Sequence, residues 1–261
     1  MRVENSFIPV RGVGQRTEQR LWREGITHWN AFEPEVLGGR TGRRVEAFID
    51  TASERLAAGD AAFFAEAFPT KCRWRLYENF RESTVFLDNE TTGLSQRHHD
   101  VTVVSLHDAT GTRTLVRGRD LTRERLCDAL DGADLLVTYN GRRFDVPFLE
   151  RAFDLPIDLP HLDLMYPCRR LDLTGGLKVV ERTLGVDRDE PDISGRDAVR
   201  LWRRYEAGDS AALDTLIRYN RDDTVNLRAV TEAVCERLHR RVFVEPIPTN
   251  QARLGGDGLG D

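Results

Sequence analysis

Apolar positions follow two different rhythms along this chain, and the change falls near residue 82. Upstream, "SFIPVRGVGQRTEQRLWREGITHWNAFE" has a Gly12-Val13-Gly14 turn followed by a helical stretch with Leu21 and Trp22. Helical spacing continues through "GRRVEAFIDTASERLAAGDAAFFAEAF" (42–68) until Pro69 closes it. Downstream, the period shortens to that of strands at 83–89, 101–107 and 113–117, the last two joined by a turn around Asp108–Gly111. A helix at 121–131, an apolar strand at 134–140 and a helix at 146–153 follow, and the remainder reads as helices at 162–171, 176–184, 195–206 and 209–239. After Arg241 come Pro246, Pro248 and "GGDGLGD", which predict a disordered tail. The expected layout is a helical unit at 1–75, an α/β domain with a mixed sheet at 76–241, and a tail at 242–261.

Composition narrows the class. With 261 residues, 40% of them hydrophobic, the chain can bury a sizeable core. No run approaches the ~18 apolar residues of a membrane span, and "MRVENSFIPVRG" carries no apolar signal core. A cytoplasmic protein without membrane partners is expected. Cys72, Cys127, Cys168 and Cys235 are scattered, without a C-x-x-C pair, so structural disulfides and zinc are not expected. The net charge of −5 excludes binding of nucleic acid by overall positive charge, but not by a local groove. Lys71 and Lys178 are the only lysines; the other basic side chains, histidine aside, are arginines, which suit forked phosphate contacts.

Candidate chemistry begins at "VFLDNETTGL" (85–94), where an apolar strand ends in Asp88 and Glu90. A period of two puts both acids on one face, an arrangement that costs free energy unless a cation lies between them. Alone, the pattern also suits a strand that simply ends in solvent. Asp145, in "YNGRRFDVPFLE", falls between a strand end and a helix, where α/β folds place ligands and where helix caps also occur. In "LIRYNRDDTVNL" (216–227), Tyr219 and Asp223 share a helix face, and Asp222 reaches much the same region, so spacing leaves the two aspartates undecided.

In chain order, Asp88-x-Glu90, Asn140-x-x-x-Phe144-Asp145 and Tyr219-x-x-x-Asp223 resemble the three exonuclease motifs of the DnaQ-like, or DEDD, superfamily. Arg218 stands where one branch of that superfamily has histidine, so the tyrosine branch is indicated. The segments "FLDNETTGL", "YNGRRFDVPFLE", "HLDLMYPCRR", "LKVVERTLGV" and "YNRDDTVNL" look like the YprB-type, ribonuclease-H-like exonuclease domain, over roughly residues 74–240. Asn89 departs from that pattern, in which an apolar residue is usual.

The resemblance implies a ribonuclease-H-like fold and a 3′–5′ exonuclease releasing nucleoside 5′-monophosphates from single-stranded DNA or RNA ends. It implies Asp88, Glu90, Asp145 and Asp223 as ligands of two Mg²⁺ or Mn²⁺ ions, with Tyr219 orienting the attacking water. Thr91, Asn140, Arg142 and Arg143 are candidate substrate contacts. Lys178 is expected near the site or on a helix surface; Asp163 is expected as a helix cap or a support for the ligands, and His98 and His99 are not expected to bind metal. The upstream turn is similar to a helix-hairpin-helix, although Glu18 stands where that motif prefers a small residue. An internally cutting ribonuclease-H-like nuclease and a silent nucleic-acid-binding scaffold are the competing readings.

Overall fold

The structure is a computed structural model that describes residues 1–188 and 193–247; the expected tail at 248–261 lies outside them. The chain divides into two compact units, one formed by residues 1–81 with those from 234 onward, the other by 82–233.

In the first unit, two 3₁₀ turns lie between α1 (Gln15–Arg23) and α2 (Gly39–Ala57), and a short turn joins α2 to α3 (Ala61–Ala67). The continuous helix read over 42–68 breaks at Gly59, whose φ of 69° is left-handed, and Asp60 caps α3 by accepting from the Phe63 N–H. The Gly12–Gly14 turn leads into α1, but only the 3₁₀ turn Val3–Asn5 precedes it, where a helix-hairpin-helix requires a full helix. Glu18 on α1 is fully buried and accepts from the Ser6 hydroxyl and the Phe7 and Ile8 N–H groups. Arg75 closes this arrangement with bonds to both Glu18 oxygens at 2.9 and 3.1 Å. Residues 242–247, assigned to the tail from sequence, continue a π-helical turn (Arg240–Val244), and Val242 and Ile247 are buried.

The second unit is built on a five-stranded mixed sheet: β1 (Thr84–Thr91), β2 (Val101–Asp108), β3 (Gly111–Val116), β4 (Leu135–Thr138) and β5 (His161–Asp163), in the order β3-β2-β1-β4-β5. β2 and β3 run antiparallel to their neighbours, whereas β4 pairs parallel with both β1 and β5. Residues 161–163 form the fifth strand, although the helix read from sequence begins at 162, and α6 (Met165–Arg170) begins after the strand. Val85, Leu87, Val104 and Leu106 pack against α4 (Arg123–Leu130) and α5 (Asp145–Phe153). Val103 and Val116 pack on the opposite face against α8 (Gly195–Glu206) and α9 (Ser210–His239). α7 (Leu177–Leu184) precedes α8. A bulge lies where the β1–β2 register shifts between Glu90 and Thr91, so Val101 joins the core of Val104 and Leu106 although simple alternation would point it the other way.

Candidate active site

Strand alternation sets the first half of the site. Leu87 faces the α4–α5 core, so Asp88 and Glu90 face the α8–α9 side. There α9 brings Asp223, and carboxylate oxygens of Asp88, Glu90 and Asp223 lie within 4.8 Å of one another. Asp222 is not part of that group. Tyr219, one turn before Asp223, is buried and hydrogen-bonded to its carboxylate. Asn220 is three residues before Asp223 and donates to Asp88 Oδ2 at 2.7 Å, tying the helix to the strand.

Asp145 reaches the site from the other layer. The ladder between β1 and β4 ends at Phe86–Val137, which leaves the Asn89 N–H without a strand partner on that side. Asp145 Oδ1 accepts from that N–H at 3.1 Å, while Asn89 Nδ2 donates to the Asp145 carbonyl at 3.2 Å. Asn89 therefore holds Asp145 by two bonds, one from its backbone and one from its side chain. Asp145 stands in the first turn of α5, where a negative charge is favoured, and Pro147 falls where no intrahelical N–H is needed.

The turn before α5 is held from β5. The Asp163 carboxylate accepts from the N–H groups of Asn140 at 2.7 Å, Arg142 at 3.2 Å and Met165 at 3.1 Å. Asn140 takes a left-handed φ of 65°, and a Cβ on Gly141 would lie 2.4 Å from Thr138 Oγ1. Arg142 and Arg143 are exposed. Thr91 is buried, and its hydroxyl donates to the Gly93 carbonyl at 2.7 Å. His98 and His99 lie outside the acid group.

Two cations complete the site. Arg188 pairs with Glu181 of α7 and with Asp223, and its carbonyl neighbour Asp187 is held by Asn226 Nδ2 at 3.0 Å. Lys178 Nζ lies 4.7 Å from the centre of the Tyr219 ring. Spacing in the sequence gives no sign of Arg188, Glu181 or Asn226. Asn220, not singled out from the sequence, could have been found from its three-residue offset to Asp223.

The electrostatics are those of carboxylates short of positive charge. Burial, then the charges of Asp223 and Asp145, push Asp88 and Glu90 well above the usual carboxylate range. Burial raises Asp145 to about 7, against the Asn89 N–H bond that favours its ionised form. Asp223 is also raised by burial, with Arg188 opposing. Burial and the Asp223 charge raise the Tyr219 phenol, so it keeps its proton at neutral pH. Such oxygens are the donors that hard divalent cations prefer, and the set could hold one.

A mixed sheet flanked by helices, with clustered acids on its central strand and on the helix crossing it, defines an α/β domain of the ribonuclease-H-like class. The chain belongs to the RNase_H superfamily: the RNase_H_2 family model matches residues 85–235. No curated protein matches the chain. Among solved structures, it is similar to one described as the apo form of a nuclease, with a TM-score of 0.46 and 20% identity over 68% of this chain and 87% of that one. It is also similar to the family B DNA polymerase of the hyperthermophilic archaeon Pyrobaculum calidifontis, with a TM-score of 0.46 and 21% identity over 65% of this chain and 26% of the polymerase.

Proposed function

We propose that this chain is a divalent-metal-dependent 3′–5′ exonuclease of the YprB type, in the tyrosine branch of the DnaQ-like superfamily. Its substrates would be single-stranded DNA or RNA ends in the cytoplasm, and its products nucleoside 5′-monophosphates. The observation that carries this reading is the convergence of Asp88, Glu90 and Asp223 within 4.8 Å, with Tyr219 bonded to the last of them.

Asp88, Glu90, Asp145 and Asp223 would hold two Mg²⁺ or Mn²⁺ ions, which when bound supply a water of lowered pKa and stabilise charge on the departing 3′-oxygen. Asn220 and Asn89 fix two of these ligands, Asp88 and Asp145, before substrate arrives, so little reorganisation remains for the reaction. Tyr219 holds its proton too tightly to act as a base at neutral pH; its hydroxyl would position the attacking water. Arg142 and Arg143, exposed on the turn that leads to Asp145, would meet the polymer backbone. Asn140 would contact the terminal nucleotide. Thr91 would act indirectly, by shaping the turn at Gly93.

The test incubates purified protein with 5′-labelled single-stranded DNA and RNA in Mg²⁺ or Mn²⁺, beside an Asp88→Ala variant and an EDTA control. A ladder shortening from the 3′ end, absent in both controls, is expected. Release of internal fragments from a circular single strand would replace the exonuclease by an endonuclease, and binding without cleavage would replace it by a scaffold.

A further inference from the structure

Lys178 lies beside Tyr219, and the roles above leave it unused. Its Nζ is shielded from solvent and has no hydrogen-bond partner among the described residues. A buried ammonium without acceptors is costly, and folds keep such groups rarely. The contact with the Tyr219 ring and the nearby charges of Asp223, Glu181 and Glu90 offset part of that cost without satisfying its donors. The neighbouring cation is already committed, because two Arg188 nitrogens bond Glu181 and Asp223. Lys178, Arg182 and Arg188 line a cavity of about 260 Å³ together with Gly185, Val186 and Asp187, which gives an anion room beside the Lys178 side chain.

Charge bookkeeping gives that anion its identity. Two divalent ions balance four carboxylates and leave nothing for the phosphodiester. During hydrolysis a water oxygen bonds to phosphorus, the P–O3′ bond breaks with its electron pair on O3′, and a proton ends on that oxygen. The released 5′-phosphate carries one more negative charge than the diester once the other water proton has gone to solvent. A cation that touches a non-bridging oxygen is therefore worth more late in the reaction than at its start.

Resting on the exonuclease reading, we infer that Lys178 is a substrate-contacting catalytic residue: its Nζ donates to a non-bridging oxygen of the scissile phosphate, and the basic cavity beside it receives the released 5′-phosphate. The compact, rotatable ammonium suits a single oxygen, where a guanidinium is built for two.

The experiment compares wild type, Lys178→Met and Lys178→Arg in three measurements: steady-state kinetics on a single-stranded oligonucleotide, melting temperature, and calorimetric titration with adenosine 5′-monophosphate. The methionine variant is expected to lose about 100-fold in kcat, to melt no lower than wild type, and to bind the monophosphate at least about 10-fold more weakly. The arginine variant is expected to recover part of both losses. A methionine variant with kcat within about threefold of wild type and unchanged monophosphate affinity overturns the proposal, as does a loss of activity matched by a fall in melting temperature. If wild type digests no polymer yet binds the monophosphate through Lys178, the exonuclease reading falls and the phosphate contact stands. If it does neither, both fall.

Discussion

Glu18 in the first unit and Asp223 in the second are buried, and Asp88 and Glu90 beside Asp223 are partly so, but the protein provides for the two groups in opposite ways. Glu18 comes with a guanidinium, a hydroxyl and two backbone N–H groups of its own. The three clustered acids share one arginine bond, one asparagine bond and the Tyr219 hydroxyl, and they crowd one another. A carboxylate buried for architecture carries its counter-charge within the chain, whereas the second group is left short of one, the arrangement expected where the missing charge comes from outside.

The strongest way to test that contrast is Arg75→Met, which strands the Glu18 charge in the core. It should cost about 3–5 kcal/mol, read by chemical denaturation, and saturating Mn²⁺ should restore none of it. A loss below about 1 kcal/mol would mean that Glu18 does not depend on its partner. Next in size, Mn²⁺ at about 100 times its Kd should stabilise the wild type by about 2.7 kcal/mol, and Asp88→Asn should abolish that gain. If the variant gained as much, the ion would be binding elsewhere.

The pH dependence sharpens the contrast further. Asp145 holds its proton to about 7 in the folded chain against an ordinary value of 3.8. Between those values the folded state binds more protons than the unfolded, so this contribution to metal-free stability is full below the ordinary value and is lost as pH rises through about 7. Asp88 and Glu90, also raised, act in the same direction. Melting temperature in EDTA should therefore fall by several degrees as pH rises from about 5 to about 8, and Asp145→Asn should flatten the slope. Bound Mn²⁺ should reverse its sign, since metal and proton compete for the same oxygens. The smallest effect expected is that of Asn89→Ala, which removes one bond to the Asp145 backbone and should cost about 1 kcal/mol, with a larger relative loss of nuclease activity.

Much of this contrast was legible in the sequence, but unequally. Asp88 and Glu90 could be placed together because strand period is a local rule, and Tyr219 with Asp223 because helix period is another. Choosing Asp223 over Asp222 needed the packing of α9, which buries one and leaves the other partly exposed. β5 escaped because three residues give no period to read, and its pairing is recognised only beside β4. Glu18 looked like a defect in a nucleic-acid motif because its partner is 57 residues away. Arg188 follows the left-handed Gly185 at the end of α7, and its orientation depends on Asn226 and Glu181, contacts that no spacing in the chain announces.

The order of the acids along the chain also has a temporal meaning. A ribosome makes β1 and its pair of acids early, Asp145 later, and the helix bearing Tyr219, Asn220 and Asp223 long after the sheet is complete. Until α9 has emerged, the nascent chain lacks Asp223 and the asparagine that bonds Asp88. A chain stalled before α9 would therefore hold Asp88, Glu90 and Asp145 without Asp223, and on the proposed function it could not yet cut.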